Sequence, residues 1–315
     1  MANHFHNALI IYNPASGRRR HRRFIEVEEG ARILKRAGIT TELAPTAGRA
    51  TATAIAHEAV EQGRGLVIAC GGDGTINEIV NGLAGSQVPM ALLPAGTANI
   101  LAKELGIPWD IPAAARLIPD GIRRRVALGI VTPVPDAGQP NLGRAGRYFL
   151  SVGGAGPDGA MVYAVDEEMK QKAGILAYWA EGVRQLFRYD FPEIRISSNG
   201  ENRKGTIIVV GRTANYGGPF KITTGASLFE DSFELLVNTT RSRWRYLVCL
   251  PALWLGRLRG MDGIYAWKAR EVTCWPANGR KVYAQVDGEP AGKLPLHFGI
   301  VPDALTLVVP NKTSA

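Results

Sequence analysis

Long hydrophobic runs are missing from this chain of 315 residues. The longest, Tyr246 to Leu255, contains Pro251 and reaches only about half of the ~20 residues that a spanning helix needs, so no membrane-crossing helix is expected. Polar Met1 to Asn7 leads straight into Ala8-Leu9-Ile10-Ile11-Tyr12, which is too short for a signal-peptide core and has no basic leader. A cytoplasmic protein is the expectation. Cysteine is scarce, with Cys70, Cys249 and Cys274 odd in number and widely spaced. That suits neither a disulfide framework nor a zinc site, and reduced, buried thiols are expected. Low-complexity tracts and internal repeats are absent. Also absent are G-x-x-x-x-G-K-[ST], G-x-G-x-x-G with an acidic residue ~20 positions on, and the protein-kinase signatures. These gaps exclude a P-loop protein, an ordinary dinucleotide fold and a protein kinase.

The composition that remains is globular, 46% hydrophobic and 21% charged, and the length fits two domains of ordinary size. Lys and Arg number 37 against 28 Asp and Glu, a net charge of +9 that calls for an anionic partner: nucleotide, nucleic acid or an acidic lipid surface. Over the first ~110 residues, short apolar runs alternate with helical patterns across glycine-rich turns, which predicts a parallel sheet. Ala8 to Tyr12 reads as a buried strand, and the helix after it carries Phe24, Val27, Ala31 and Leu34 on one face and ends at Gly38 in the C′ position. Thr40 to Ala44 is a second strand, followed by a helix lined by Ala52, Ile55, Ala56, Ala59 and Val60. Leu66 to Cys70 and Met90 to Leu93 are the third and fourth strands. From about Arg123 the strands alternate in and out between turn signals such as Ser198-Asn199-Gly200 and Ala277-Asn278-Gly279, which predicts antiparallel pairing. A helix from Met169 to Phe187 interrupts this half, and Pro133 to Gly146 is an exposed loop.

Three strand-to-helix turns carry glycine, serine or threonine where a backbone must approach a ligand closely: Asn13 to Gly17, Gly71 to Thr75, and Pro94 to Asn99. A parallel sheet puts all three at one edge, where helix N-termini favour phosphate oxygens. Each turn alone has an ordinary reading: Thr75 and Glu78 make a capping box, Thr97 an N-cap, and Ser16-Gly17 a plain turn. Three together at one edge are harder to explain that way, and Gly-Gly-Asp-Gly-Thr holds more glycine than a cap needs. Asp73 sets a carboxylate beside the expected phosphates, which suits Mg2+ or a substrate hydroxyl.

In this order and spacing the motifs resemble the lipid-kinase family of diacylglycerol, sphingosine and ceramide kinases, most of all its compact bacterial members. Asn13-Pro14-Ala15-Ser16-Gly17 matches NPxSG, Gly71-Gly72-Asp73-Gly74-Thr75-Ile76-Asn77-Glu78 matches GGDGTxNE, and Leu93 to Asn99 matches P-x-GT-x-N. Asn215-Tyr216-Gly217-Gly218 with Asp231 resembles the substrate-domain stretch, and Asp287-Gly288-Glu289 the DGE turn. The resemblance implies an α/β N-terminal domain with a parallel sheet like that of NAD kinase and phosphofructokinase over residues 1–127. It implies an all-β antiparallel sandwich over residues 128–315, whose last strand is free to return to the first domain, the two domains enclosing the active site. It assigns ATP binding to Asn13, Ser16, Gly17, Thr46, Gly71, Gly72, Asp73, Gly74, Thr75, Asn77, Glu78, Gly96, Thr97 and Asn99. Glu289 would be the general base, with Asp73 competing through Mg2+ and Asp287 in the same catalytic turn. Asp231, with the backbone oxygens of Leu228 and Phe233, would hold a structural Mg2+. Transfer of a γ-phosphoryl group needs positioning, charge neutralisation and a nearby carboxylate, which these roles supply. A plain Asp-Gly hairpin is the ordinary reading of Asp287-Gly288. Three departures stand out: Ile100 where many members have aspartate, Ser232 for the usual glycine, and an unusual Gly156-Pro157-Asp158-Gly159.

Arg18-Arg19-Arg20-His21-Arg22-Arg23 and Arg123-Arg124-Arg125 read as solvated faces or as attraction to anionic headgroups. Arg241 to Gly260 mixes five arginines with Trp244, Tyr246, Trp254 and Leu255, a helix for the bilayer interface or a cover for the sandwich. Aromatics do not interleave with the basic runs, so nucleic acid is not an expected partner. The expectation is a lipid kinase of phospholipid metabolism using ATP and Mg2+, peripheral at the inner face of the membrane, with a homodimer as an option. The alternatives are an NAD kinase-like enzyme and a non-catalytic nucleotide or lipid sensor.

Overall fold

Segments that are apolar at every position can only be strands covered on both faces. Such are β1 (Ala8–Tyr12) and, after α1 (Arg23–Arg36), β2 (Thr41–Pro45) and α2 (Thr51–Glu61), the strands β3 (Leu66–Gly71) and, beyond α3 (Asp73–Leu83), β4 (Pro89–Pro94). The computed structural model describes residues 5–17, 19–135, 146–164, 189–217 and 220–311. The strands pair in parallel in the order β2-β1-β3-β4, and Thr306 and Leu307 of the final strand, Leu296–Val309, pair in parallel with Pro89 and Met90. Helices α4 (Ile100–Leu105) and α5 (Ile111–Leu117) follow β4.

Helix α1 buries Val27 and Leu34 as expected but corrects the other half of the apolar face read from the sequence. Its buried residues are Arg23, Val27, Gly30 and Leu34, whereas Phe24 is 52% exposed and Ala31 only half-buried. Gly30 decides this: a Cβ there would lie 3.4 Å from Ile111 and 3.8 Å from Ala115, so the bare backbone admits α5. The helix ends as expected, with Gly38 at φ +84° and its N–H donating to the Lys35 carbonyl at 3.0 Å.

The chain divides into two units, Met1–Leu128 with Pro302–Ala315, and Gly129–Val301. It leaves the first within β5 (Ile122–Pro133). The second unit then builds β6 (Arg147–Phe149), β7 (Val152–Ala155), α6 (Pro157–Ala164), β8 (Ile194–Ser198), β9 (Glu201–Gly205), β10 (Ile207–Gly211), β11 (Asn215–Gly217), β12 (Phe220–Lys221), β13 (Phe233–Asn238) and α7 (Arg243–Trp254). It closes with β14 (Ile264–Ala269), β15 (Glu271–Pro276), β16 (Tyr283–Val286), β17 (Glu289–Lys293) and the start of β18 (Leu296–Val309). One antiparallel sheet runs β14-β13-β10-β7-β16-β17, and within this unit a second runs β18-β15-β8-β9. Ile208, Phe233 and Leu235 from the first meet Ile196, Val272 and Phe298 from the second in one buried cluster, the core of a sandwich. Phe149 stacks on Phe233 at 5.8 Å and meets Phe298 edge-on at 6.2 Å.

The fold class is therefore as predicted, a parallel α/β unit and an antiparallel sandwich. Asn199 and Gly200, at φ +53° and +77°, make the expected two-residue hairpin, which joins Ser198 to Glu201. The helix expected at Met169 to Phe187 and most of the loop from Pro133 to Gly146 lie outside the described residues. The cysteines are free; Cys70 and Cys274 are buried, which pushes their thiols up to about 12, while Cys249 is half-buried. Among the described residues no helix is long and apolar enough to cross a membrane.

Candidate active site

In the first unit Tyr12 pairs with Cys70 and Gly71 with Pro94, so the loops after β1, β3 and β4 leave the sheet at one edge. The ladder continues into them: Asn13 N–H donates to Cys70 O at 3.0 Å and Ala95 N–H to Gly71 O at 2.9 Å. Thr46, after β2, joins them by donating its N–H to Tyr12 O at 2.9 Å. The glycines let the loops touch backbone to backbone. A Cβ on Gly17, at φ +68°, would stand 2.2 Å from Ala95 O, and one on Gly96 would stand 2.4 Å from the Gly72 Cα.

Side chains then fix this arrangement. The Asn13 amide donates to Thr75 Oγ1 at 3.2 Å and accepts from Ala15 N at 2.9 Å. Buried Asn99 folds the third loop on itself, accepting from Gly96 N at 2.9 Å and donating to Gly96 O at 3.0 Å. Arg23 corrects the uniform reading of the basic run. It is buried, donates to both Ser16 O and Ala95 O at 3.1 Å, and pairs with Glu26 at 2.9 Å, so it joins the first loop to the third. Glu26, three positions on, was the hint the sequence offered.

Both of the ordinary cap readings change. The α3 helix begins at Asp73 with Gly72 as N-cap and no side-chain acceptor there, the kind of helix end at which phosphate oxygens bind. Thr75 and Glu78 form no capping box. Glu78 instead accepts from Ala50 N at 3.0 Å and Ala52 N at 3.2 Å, and so caps α2, whose own N-cap Ala50 has no side-chain oxygen. Thr97 caps nothing and is exposed, because the N-cap of α4 is Asn99. Asp73 accepts from Ile100 N at 2.7 Å, which anchors its carboxylate at the start of α4.

In the second unit Asp287 and Gly288 form the predicted hairpin turn, at φ +47° and +79°, with Val286 opposite Glu289. The Asp287 carboxylate accepts from Leu150 N at 2.8 Å and from Ser151 N and Val152 N at 2.9 Å each, so it is an anchor for the turn. Half-buried Glu289 opens β17, and among the described residues its carboxylate has no hydrogen bond or ion pair.

Beneath this turn lies a cluster that joins Asp158 of Gly156-Pro157-Asp158-Gly159 to Tyr216 and to Gln285, which the sequence reading had not singled out. Buried Asp158 accepts from Gln285 Nε2 at 2.7 Å and from the Tyr216 hydroxyl, and Gln285 Oε1 accepts from Gly288 N at 2.9 Å. Burial raises the Asp158 carboxyl to about 6, with the Gln285 hydrogen bond opposing. The folded state thus binds this proton more tightly than the unfolded chain does. The linked stability is full below the ordinary carboxyl range and is lost as pH rises through about 6, a difference of about 3 kcal/mol. Asp158→Asn should remove that decline: thermal melts from about pH 4 to pH 8 should show a flatter Tm profile than wild type and no loss of Tm at the alkaline end. A profile parallel to wild type would refute the assignment.

The residues expected as metal ligands lie in and just after the Leu228–Ser232 turn. Asp231 is exposed, Phe233 is buried at the start of β13, and Leu228 O already accepts from Arg212 Nη2 at 2.8 Å. Among the described residues no three His, Cys, Asp or Glu side chains are grouped to hold a metal ion. One carbonyl of the expected set, Leu228 O, is thus already engaged by a fixed cation.

Comparison with known proteins agrees with the two-unit architecture. A model of the diacylglycerol kinase catalytic domain matches residues 7–131, and one of the YegS C-terminal NAD kinase beta sandwich-like domain matches residues 151–309. The chain is similar to a diacylglycerol kinase of Bacillus subtilis (strain 168), 32% identical over 314 residues and 97% of each chain. It is 28% identical to one of Staphylococcus aureus (strain MRSA252), over 96% of this chain and 92% of that one. A crystal structure of a diacylglycerol kinase from Bacillus anthracis str. Sterne superposes with a TM-score of 0.75 at 21% identity, covering 100% of both chains, a likeness of fold.

Proposed function

This chain belongs to the diacylglycerol kinase family and is an ATP-dependent lipid kinase, and from that premise we propose its acceptor and the division of work among its residues. The acceptor is the hydroxyl of a diacylglycerol-type membrane lipid. The ATP phosphates rest on backbone amides of Gly72 to Thr75 and Gly96-Thr97, with Asn13, Ser16, Gly17 and Thr46 shaping the same edge. Glu289 takes the proton from the acceptor hydroxyl, and Asp287 holds the turn that aims it. Mg2+ bound with the nucleotide would neutralise charge on the transferring phosphoryl group, and Asp73 is the carboxylate in these loops that would hold it. The observation that carries this reading is the contact of Gly17 with Ala95 and of Gly96 with Gly72, at which a methyl group has no room. An NAD kinase reading leaves the first and third loops less well explained.

The lipid is met at a membrane surface through α7. Trp244, Val248, Trp254 and Leu255 are 58–73% exposed, spaced so that Trp244, Val248 and Leu255 share one stripe. The opposite side is held down, with Tyr246 stacked on Phe191 at 4.4 Å and sharing a 2.9 Å hydrogen bond with Thr206. Arg241, Arg245 and Arg259 are engaged with Glu193, Asp262 and Glu234. Arg243 and Arg257 are exposed, with no ion pair among the described residues, and suit anionic headgroups. Purified protein given γ-labelled ATP and vesicles containing diacylglycerol should move label into the organic phase, faster when the vesicles carry anionic lipid. Label that enters NAD, or no lipid at all, sinks the proposal.

A further inference from the structure

A guanidinium is costly to bury unless its donors are matched, and Arg212, just after β10, is 0% exposed. Three carbonyl partners come from a single turn. Nη2 donates to Leu228 O at 2.8 Å, and Nη1 donates to Glu230 O at 2.5 Å and Ser232 O at 3.2 Å. Oxygens gathered from one short loop around a positive charge are what a hard divalent cation ordinarily demands. Here a fixed side chain supplies that charge. Burial lowers its pKa to about 10, opposed by Asp231 and Glu230, so it stays cationic at neutral pH. A second cation on the same carbonyls would displace the fork from Leu228 O and face a like charge a few ångströms away.

The position matters to the rest of the unit. Arg212 N–H donates to Ser151 O at 2.8 Å, and Ser151 N–H donates to the Asp287 carboxylate at 2.9 Å. A single residue, Ser151, therefore links the backbone of Arg212 to the residue that anchors the hairpin of Glu289.

We propose that Arg212 is the built-in cation of the Leu228–Ser232 turn, taking the place in which a divalent metal is expected, so that this unit keeps its structure without one. The claim concerns stability and stands whether or not the kinase roles above are correct.

Thermal melts of the full chain without nucleotide test it. A cation held by the folded state at about 100 times its Kd would raise Tm by about 5–10 °C for a unit of this size. Wild-type Tm should instead be the same in excess EDTA and in excess Mg2+. Arg212→Met, which strips three carbonyls of their donor, should melt well below wild type, and Arg212→Lys, which keeps the charge and loses the fork, should fall between them. Should Arg212→Met fail to fold, the two wild-type melts decide alone. A Mg2+-dependent rise in wild type that Asp231→Asn abolishes would overturn the proposal, and so would Arg212→Met melting at the wild-type temperature.

Discussion

Glu289→Gln is expected to lower kcat for lipid phosphorylation by about 10²–10⁴-fold, the range that a positioned general base contributes, while leaving the melting temperature unchanged. Both halves follow from the surroundings of the side chain. Among the described residues its carboxylate has no hydrogen bond or ion pair, so an amide of the same shape leaves no buried partner stranded. The hairpin geometry also survives, because the positive φ values belong to Asp287 and Gly288. KM for ATP should stay near wild type, since the phosphate loops are elsewhere in the chain. Steady-state kinetics beside a melt would check this, and activity within a few-fold of wild type would assign the proton to another group.

Asp287→Ala, two residues away, should behave in the opposite sense and remove stability together with activity. Three backbone N–H groups depend on that carboxylate. At about 1–3 kcal/mol for each donor left unsatisfied, with a further cost of about 1 kcal/mol for alanine at positive φ, the loss is several kcal/mol. A fall in Tm of ~10 °C or more follows for a unit of this size. Asp287→Asn, which keeps one acceptor oxygen and tolerates positive φ, should recover part of it. An alanine variant as stable as wild type would mean that the carboxylate anchors nothing. On the proposed reading, the two carboxylates of one motif separate into a group that reacts and a group that positions it, and the two measurements test that division.

Much of this was legible along the chain because it is local. Ala8 to Tyr12 is apolar throughout and is a strand covered on both faces. Asn199-Gly200 and Asp287-Gly288 are dipeptides that accept positive φ, and both are hairpin turns. The glycines of the phosphate loops could be noticed in the same way. Their partners could not: that Gly17 abuts Ala95 and Gly96 abuts Gly72 depends on loops dozens of residues apart being brought to one edge. The α1 face was right at Val27 and Leu34 and missed Gly30, because a glycine carries no hydrophobic signal, although Gly30 is what admits α5.

Charged residues show the limit most clearly. Glu78 stands at capping-box spacing from Thr75 yet caps another helix, and Arg23 sits in a run of arginines yet is buried between two loops. Arg212 carried no mark that set it apart from a surface arginine. Periodicity and turn chemistry are properties of neighbours in sequence, so strands, hairpins and the order of the glycine motifs were determined there. The partner of a buried charge is chosen by whichever carbonyls the finished fold delivers to it, and only the tertiary structure decided that.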